Sequence, residues 1–329
     1  MKVLVTGGCG FIGGHLCEKL IAQGHTVLAT DHLRNCCGQD SQDPAGSYNR
    51  KIEALTALTG LDGFSFHGCE MGDIPDLIRE WSPDAVCHLA ALGGVRESIR
   101  DAQRYTEVNL CGTMRVMEAC YAINTPLVFA SSSSVYGTNT KVPFCETDVV
   151  DSPNSPYACS KRACELFAQT FARNHHDANI VALRFFTVYG PRGRRDMAPF
   201  KFLRGIFNEE PITMYGDGSS SRDYTYIDDI VGGILGSIRF ICDEKNSGYH
   251  CFNLGSSRPV TLASFIQTCE RVVGKKARIM QCKQQDGDVP ATYSDSSKAQ
   301  TVLGFSAETP LVDGLRDTFE WMQKSGIKL

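Results

Sequence analysis

"VTGGCGFIGGHL", Val5 to Leu16, is the stretch that decides how this chain folds. The apolar run "KVLVT" leading into it has the character of a buried strand. "FIGGHLCEKLIAQG" puts Ile12, Leu16 and Leu20 at four-residue spacing on one face of a helix. Between strand and helix lie Gly8-x-Gly10-x-x-Gly13 and the close variant Gly7-x-x-Gly10-x-x-Gly13. Glycine there permits a tight turn, lets the backbone approach a pyrophosphate and allows the helix to pack close to the strand; the amino end of the helix then faces the phosphates. A glycine pattern alone says little, but one set between strand and helix points to a dinucleotide. Asp31 ends the following strand, "HTVLATD", 18 residues after Gly13. A carboxylate there accepts from a ribose 2′-hydroxyl and repels a 2′-phosphate, so NAD is favoured over NADP, with Arg34 nearby as the opposing signal.

Working outward, "FSFHG", "DAVCHLAA", "PLVFASSS" and "NIVALRFF" are short apolar strands. Helical patterns lie between them, at about 100–122 (Val108, Val116, Cys120) and 157–174 (Ala163, Leu166, Phe167, Thr170). Strand and helix alternate, so the expected fold is α/β: a Rossmann-type doubly wound parallel sheet with helices on both faces. After about residue 190 turn-rich pieces such as "GPRGRRD" and "GDGSSSRD" separate shorter elements. The expected division is an NAD-binding domain at 1–190 and a smaller C-terminal substrate-binding lobe at 191–329, with some segments returning to the first domain. "TLASFIQTCERVVG" and "PLVDGLRDTFEWMQ" read as amphipathic helices, and residues 32–50 as a mobile surface loop.

The 329 residues suffice for one large domain or two moderate ones. A net charge of −4 offers no electrostatic case for nucleic acid or an acidic membrane. The fifteen cysteines are scattered and odd in number, and Cys17, Cys87, Cys111 and Cys120 fall on apolar faces, so they read as free thiols. Free thiols in that number fit a reducing compartment, and a cytoplasmic location is expected. Met1-Lys2 runs straight into a strand, which leaves no room for a signal peptide, and no apolar run approaches the ~20 residues of a membrane span. The eight histidines form no HxH or HExxH arrangement; His88 reads as core and His175-His176 as a solvated helix end, and no metal is expected.

"SPYACSKRACE" carries Tyr157 and Lys161 four residues apart, on one face of a helix. A phenol, ionising near ~10, is a poor base at neutral pH. A neighbouring ammonium favours its phenolate, and together they form a base suited to taking a proton from a sugar hydroxyl as hydride leaves. Upstream, "ASSSSVYG" sets Ser131 to Ser134 where a strand reaches its carboxyl end.

With these segments in view, the sequence resembles the extended short-chain dehydrogenase/reductases, specifically the nucleotide-sugar epimerase/dehydratase family, over essentially its whole length. It looks most like the UDP-glucuronate 4-epimerases, on "RFFTVYGPRGRRDMA" and "GDVPATYSD" above all, with "HLAALGGVRES", "NLCGT", "RDYTYIDDI" and "FNLGSS" in support. The resemblance implies Tyr157, Lys161 and Ser132 as catalytic residues. It implies an NAD site made of Gly7, Gly10, Phe11, Ile12, Gly13, Asp31, His32, Leu89, Ala90, Ala91, Asn109, Tyr157, Lys161 and Phe186. It implies a UDP-sugar site in which Arg222 meets the diphosphate, Tyr215 the uracil and Asp288 the uridine ribose. Arg96, Ser133, Ser134, Thr187 and Arg194 complete that site, with Thr187 and Arg194 near the sugar and its carboxylate. The arginines of "GPRGRR" with Arg222 gather positive charge that suits an anionic substrate. Three departures from the family pattern stand out: Leu92-Gly93 for Gln-Ala, Glu97 for a tyrosine, and Cys69 for an aspartate near adenine.

The serines acquire meaning in that frame. Dehydratases of this fold carry an acid and a base at the strand end, and the decarboxylases a glutamate before "VYG". Here Ser133 and Ser134 occupy those places, which argues for oxidation at one carbon without elimination. The implied activity is NAD-dependent 4-epimerisation of UDP-glucuronate to UDP-galacturonate through a 4-keto sugar. Alternatives are 4-epimerisation of a neutral UDP-hexose, another UDP-sugar oxidoreductase or decarboxylase, or a cofactor-binding protein without catalysis. The resemblance also implies a homodimer paired through the helices at 100–122 and 157–174.

Overall fold

The computed structural model describes residues 1–33, 44–283 and 289–325. Its first part alternates β1 (Lys2–Thr6), α1 (Phe11–Ala22), β2 (Thr26–Asp31), α2 (Pro44–Leu58), β3 (Phe64–Gly68), α3 (Ile74–Trp81) and β4 (Ala85–His88). A broken helical stretch follows: α4 (Val95–Arg100), α5 (Ala102–Tyr105), a π-helical segment over Thr106–Cys111, and α6 (Gly112–Ala122). Next come β5 (Leu127–Ser132), a 3-10 turn over Ser133–Tyr136, α7 (Pro156–Asn174) and β6 (Asn179–Phe185). The rest comprises β7 (Thr187–Tyr189), α8 (Ala198–Phe207), β8 (Pro211–Tyr215), β9 (Ser221–Tyr226), α9 (Ile227–Ile241), β10 (Gly248–Leu254), β11 (Pro259–Thr261), α10 (Leu262–Val273), β12 (Arg278–Cys282), α11 (Ser297–Leu303) and α12 (Leu311–Lys324).

Seven strands form one parallel sheet in the order β10-β6-β5-β4-β1-β2-β3. The chain winds outward from β1 in one direction and from β4 in the other. Ligands of such sheets settle outside the carboxyl ends of the strands where the winding reverses, here between β1 and β4. Side-chain alternation loads both faces. Val3 and Val5 join Leu16, Leu20, Val128, Val181 and Ile227 in one core, while Leu4, Ile78, Val86, Val116, Phe129 and Ile180 build the other.

Residues from Thr187 onward build two small sheets, β11-β9-β7 and β12-β8, buttressed by aromatic contacts such as Phe202–Phe265 and Phe207–Phe319. They also supply β10 to the large sheet and α9 to the layer packed on α1. One carboxylate fastens the pieces. Asp223, fully buried on β9, accepts from Ser256 N (2.8 Å), Ser256 Oγ (2.6 Å), Ser257 N (3.1 Å), Ser294 N (3.0 Å) and Ser294 Oγ (2.6 Å). A carboxylate that deep needs such donors to offset its lost hydration.

The loop expected over 32–50 is shorter than its composition suggested, because a helix begins at Pro44. "PAGSYNR" has turn-forming residues, yet proline suits a first helical turn, where its missing N–H costs nothing. Residues 34–43, including Arg34, lie outside the described residues, as does Asp288. Among the described residues no helix is long and apolar enough to cross a membrane.

Candidate active site

The β1–α1 loop is shaped for close approach. Gly7 adopts φ +69°, and a Cβ there would lie 2.9 Å from Ala90 N; a Cβ on Gly13 would lie 2.1 Å from Gly7 O. Gly10 N donates to Gly7 O at 2.9 Å, which closes the turn. No side chain caps the amino end of α1 and its first turn holds no acidic residue, so its free N–H groups and dipole are left for an anion. Asp31 stands at the carboxyl end of the adjacent β2, nearly buried. Glycine cradle, uncapped helix and ribose-level carboxylate fit a dinucleotide. His32 stands beside Asp31, its Nδ1 3.7 Å from Oδ1. Cys69, which replaces the family's aspartate, contacts Thr30 Oγ1 through its sulfur at 2.8 Å.

Leu89, Ala90 and Ala91 leave β4 directly against this cradle, with Ala90 N donating to Thr6 Oγ1 (3.1 Å) and Leu89 N to Thr6 O (3.1 Å). Asn109 holds the next residues in place. Its Oδ1 accepts from Leu92 N at 2.8 Å, and its Nδ2 donates to Leu92 O and to Ser160 Oγ. Both amide hydrogens are thereby committed, so this buried residue supports the wall and joins it to the first turns of α7. The π-helical segment that carries Asn109 has no signature in the apolar spacing. Phe186 is likewise buried, within a cluster of Val135, Tyr136, Phe144 and Val150.

His88 is core, as expected, bridging Thr6 Oγ1 (2.7 Å) and Thr113 Oγ1 (3.2 Å). Burial, aided by the Lys161 charge, pushes its imidazole down to about 3; burial with Arg192 pushes His15 down to about 4. Both stay neutral in the folded chain and take up a proton near ~6.5 once unfolded. The unfolded state therefore binds more protons between those values, and stability should fall as pH drops from ~6.5 toward 3. Urea unfolding at pH 7, 6 and 5 should show it, with a slope nearing ~1.4 kcal/mol per pH unit for each histidine. His88→Asn should flatten that dependence, and an unchanged slope would refute the assignment.

The four serines have separate tasks. Ser131, buried, donates to Glu165 Oε1 at 2.6 Å, four residues beyond Lys161 on α7. Glu165 also accepts from Arg184 (Nε 2.9 Å, Nη2 2.8 Å) and from Arg162 Nη1 (3.1 Å). Arg184 continues to the Tyr136 hydroxyl at 3.0 Å, which donates to Asn253 Oδ1 on β10 at 2.7 Å. Ser132, half-buried, accepts from Ser134 N (3.2 Å) and Ser134 Oγ (2.9 Å). Ser133 begins the 3-10 turn that packs on α7. That helix starts with Ser155, whose Oγ accepts from Ala158 N, and Pro156 at its first position, so Tyr157 falls in the first turn. Lys161 Nζ donates to Ala130 O at 2.7 Å, tying the helix to β5, and Tyr105 meets the Tyr157 ring edge-on at 6.2 Å.

Across the cleft, Arg96 lies over the Tyr215 ring at 5.7 Å, which brings two of the expected substrate residues together. Arg194 is held by Asp196 through Nε (2.9 Å) and Nη2, while its Nη1 overlies Gly93, whose missing Cβ would come within 2.8 Å. A Cβ at Gly93 would meet only the tip of that flexible side chain. Thr187 and Arg222 are half-buried on β7 and β9. Arg192 belongs to a different task from the one its charge suggested, donating from Nη1 and Nη2 to both oxygens of Glu18 on α1 (2.6 Å each). The motifs did not reveal Glu165, Asp223 or Lys51. Glu165 had a usable signal, since it follows Lys161 at helical spacing; Asp223 had none beyond its place in "RDYTY".

Glycine cradle, a carboxylate at the carboxyl end of β2 and a Tyr-x-x-x-Lys helix beside a serine-bearing strand end fit a dinucleotide-dependent enzyme. Comparison with known proteins narrows the class. Residues 3–255 match the model of the NAD dependent epimerase/dehydratase family. A UDP-glucuronate 4-epimerase of Thermodesulfobacterium geofontis is 36% identical over 98% of this chain and 96% of its own. The solved UDP-glucuronic acid 4-epimerase of Bacillus cereus, in complex with UDP-glucuronic acid and NAD, superposes with a TM-score of 0.88 at 33% identity, covering 99% of this chain and 100% of that one. A UDP-glucose 4-epimerase of Thermotoga maritima superposes at 0.85 with 29% identity over 99% of both chains, so backbone likeness alone leaves the sugar open. The chain belongs to the NAD dependent epimerase/dehydratase family.

Proposed function

We propose that this protein interconverts UDP-glucuronate and UDP-galacturonate by inverting C4 through a transient 4-keto sugar, with NAD as cofactor. The observation that carries this reading is the end of β5. It offers the hydroxyls of Ser132, Ser133 and Ser134, and no carboxylic acid, beside the helix that bears Tyr157 and Lys161. Gly7, Gly10, Phe11, Ile12, Gly13 and Asp31 would hold NAD, which would supply a reversible hydride acceptor. Tyr157, with Lys161 one helical turn further along α7, takes the proton of the 4-hydroxyl while Ser132 hydrogen-bonds the 4-oxygen. Arg222 grips the diphosphate and Tyr215, backed by Arg96, faces the uracil, so the sugar can turn about a fixed tether and present its other face. Tyr157 then returns the proton.

A 4-keto uronic acid is a β-keto acid and loses CO2 when the bond to its carboxylate aligns with the ketone π system. Ser133, Ser134, Thr187 and Arg194 hold the carboxylate out of that alignment by charge-assisted hydrogen bonds. A second reading, a neutral UDP-hexose 4-epimerase, draws on Asp196, which already accepts from two nitrogens of Arg194. Incubation with UDP-glucuronate and with UDP-glucose separates them. UDP-galacturonate should be the main product, without pentose and without released NADH. Arg194→Ala should lower kcat/KM for the uronate about 10- to 100-fold, the worth of a charge-assisted bond, and spare any residual activity on the neutral sugar. Pentose as main product, or no discrimination by Arg194, would refute the assignment.

The same reading takes residues 1–190 as the NAD domain and 191–329 mainly as the UDP-sugar lobe. Its partner is a second copy of this chain. Ile99 (62% exposed) on α4, and Leu166 and Phe167 (46% each) on α7, give neighbouring helices an apolar outer face that a two-fold mate would cover. Sedimentation should report a dimer that Phe167→Glu splits; a monomeric parent protein would exclude it. A cytoplasmic location accords with the thirteen described cysteines, all free.

A further inference from the structure

The hydrogen bonds beneath the cofactor cleft form a chain with a direction. Ala90 N donates to Thr6 Oγ1 at 3.1 Å, and that oxygen lies 2.7 Å from His88 Nδ1. On the other side of the ring, His88 Nε2 lies 3.2 Å from Thr113 Oγ1 on α6. Thr6 is 0% exposed and His88 and Thr113 are 2% each, so the chain is sealed from solvent. A hydroxyl has one proton to give. The Thr6 oxygen already accepts from Ala90, and the imidazole is the acceptor that its own proton meets among the described residues. Burial keeps that imidazole neutral. Thr6 therefore donates to Nδ1, the ring proton sits on Nε2, and Nε2 donates to Thr113.

Both ends of the chain reach the cleft. Ala90 abuts the glycine loop, where a Cβ on Gly7 would come within 2.9 Å of Ala90 N, so wall and loop move together. Thr113 contacts the Cys164 thiol, which donates to Asn109 O at 3.3 Å. Cys164 lies on α7, one turn beyond Lys161. We infer that His88 is a positioning residue for the dinucleotide. As the Nε2–H tautomer it orients the Thr6 hydroxyl, which holds Ala90 against Gly7. Through Thr113 it ties the same wall to the helix of Tyr157 and Lys161. The inference rests on the dinucleotide reading of the cleft but on no particular sugar.

Two measurements test it without turnover. A nitrogen–proton correlation spectrum of isotope-labelled protein should place the His88 ring proton on Nε2; a proton on Nδ1 would refute the chain. Calorimetric titration of the cofactor-stripped protein with NAD+, well below its melting temperature, reads the consequence. His88→Leu should lose roughly 10-fold in NAD+ affinity, the effect of a buried hydrogen-bonding group left unpaired. His88→Asn should recover most of that loss, because its amide oxygen falls near the place of Nδ1 and still accepts from Thr6. Thr6→Val should lose as much as His88→Leu, and Thr6→Ser should recover it. Thr6→Val combined with His88→Leu should cost little more than either alone, since both cut one link. Equal NAD+ affinity across the series, or losses that simply add, would overturn the inference even with a lowered Tm, because a histidine that only fills the core changes stability alone. Should His88→Leu unfold, as circular dichroism would report, the Thr6 variants and the spectrum decide the matter. A parent protein that binds no NAD+ would instead fail the cofactor reading itself, which is a different result from a failure of His88.

Discussion

Tyr157→Phe is expected to lower kcat about 10²- to 10⁴-fold with UDP-glucuronate, the range that a positioned general base contributes. The phenylalanine keeps the ring and its edge-on contact with Tyr105, and it removes only the atom that exchanges a proton with the sugar. KM and Tm should therefore stay close to the parent values, which separates lost chemistry from lost binding. Ser132→Ala should cost less, because Tyr157 remains to take the proton. A Tyr157→Phe enzyme with more than a tenth of parental turnover would show that another group takes the proton.

Glu165→Ala is expected to be the most damaging change to stability outside the apolar core. Glu165 is fully buried, and it answers two arginines and Ser131 at once. Removing it leaves the Arg184 guanidinium enclosed with no carboxylate, a situation that costs about 3–5 kcal/mol in buried pairs. Tm should drop by roughly 5–10 °C. Activity should fall further than stability alone requires, since Ser131 would lose the bond that fastens the strand of Ser132 to the helix of Tyr157. Replacing Glu165 and Arg184 together by methionine should recover much of the stability but not the activity. A shift below about 1 kcal/mol in urea unfolding would show that water enters and that the network is not sealed.

Most of the architecture was legible in the sequence because its strands are short apolar runs and its first helix alternates cleanly between faces. The glycine loop, Asp31 and the Tyr157–Lys161 spacing are local patterns, and local patterns survive in one dimension. Three features are not local. Lys51 meets Asp31 across 20 positions, from a helix whose first residues have turn composition. Asp223 gathers partners from Ser256 and Ser294, which nothing near "RDYTY" announces. Arg192 counted as a substrate-side charge until its pairing with Glu18 appeared, because composition cannot distinguish a cation that awaits a ligand from one already matched. Among the serines, the sequence distinguished the strand end from an ordinary polar loop, but the division of labour between Ser131 and Ser132 needed Glu165 in place.

The strand β10 has a consequence for how the molecule is made. It forms the outer row of the large sheet and lies parallel to β6 over Gly248–Leu254 and Asn179–Phe185, yet the ribosome delivers it only after β7, β8, β9 and α9. A nascent chain that has emerged through β6 therefore bears a naked hydrogen-bonding margin, open to wrong partners until the later segment arrives. Asn253, once there, receives the Tyr136 hydroxyl, so the interior polar chain beneath the serines is also completed only at that late moment of synthesis.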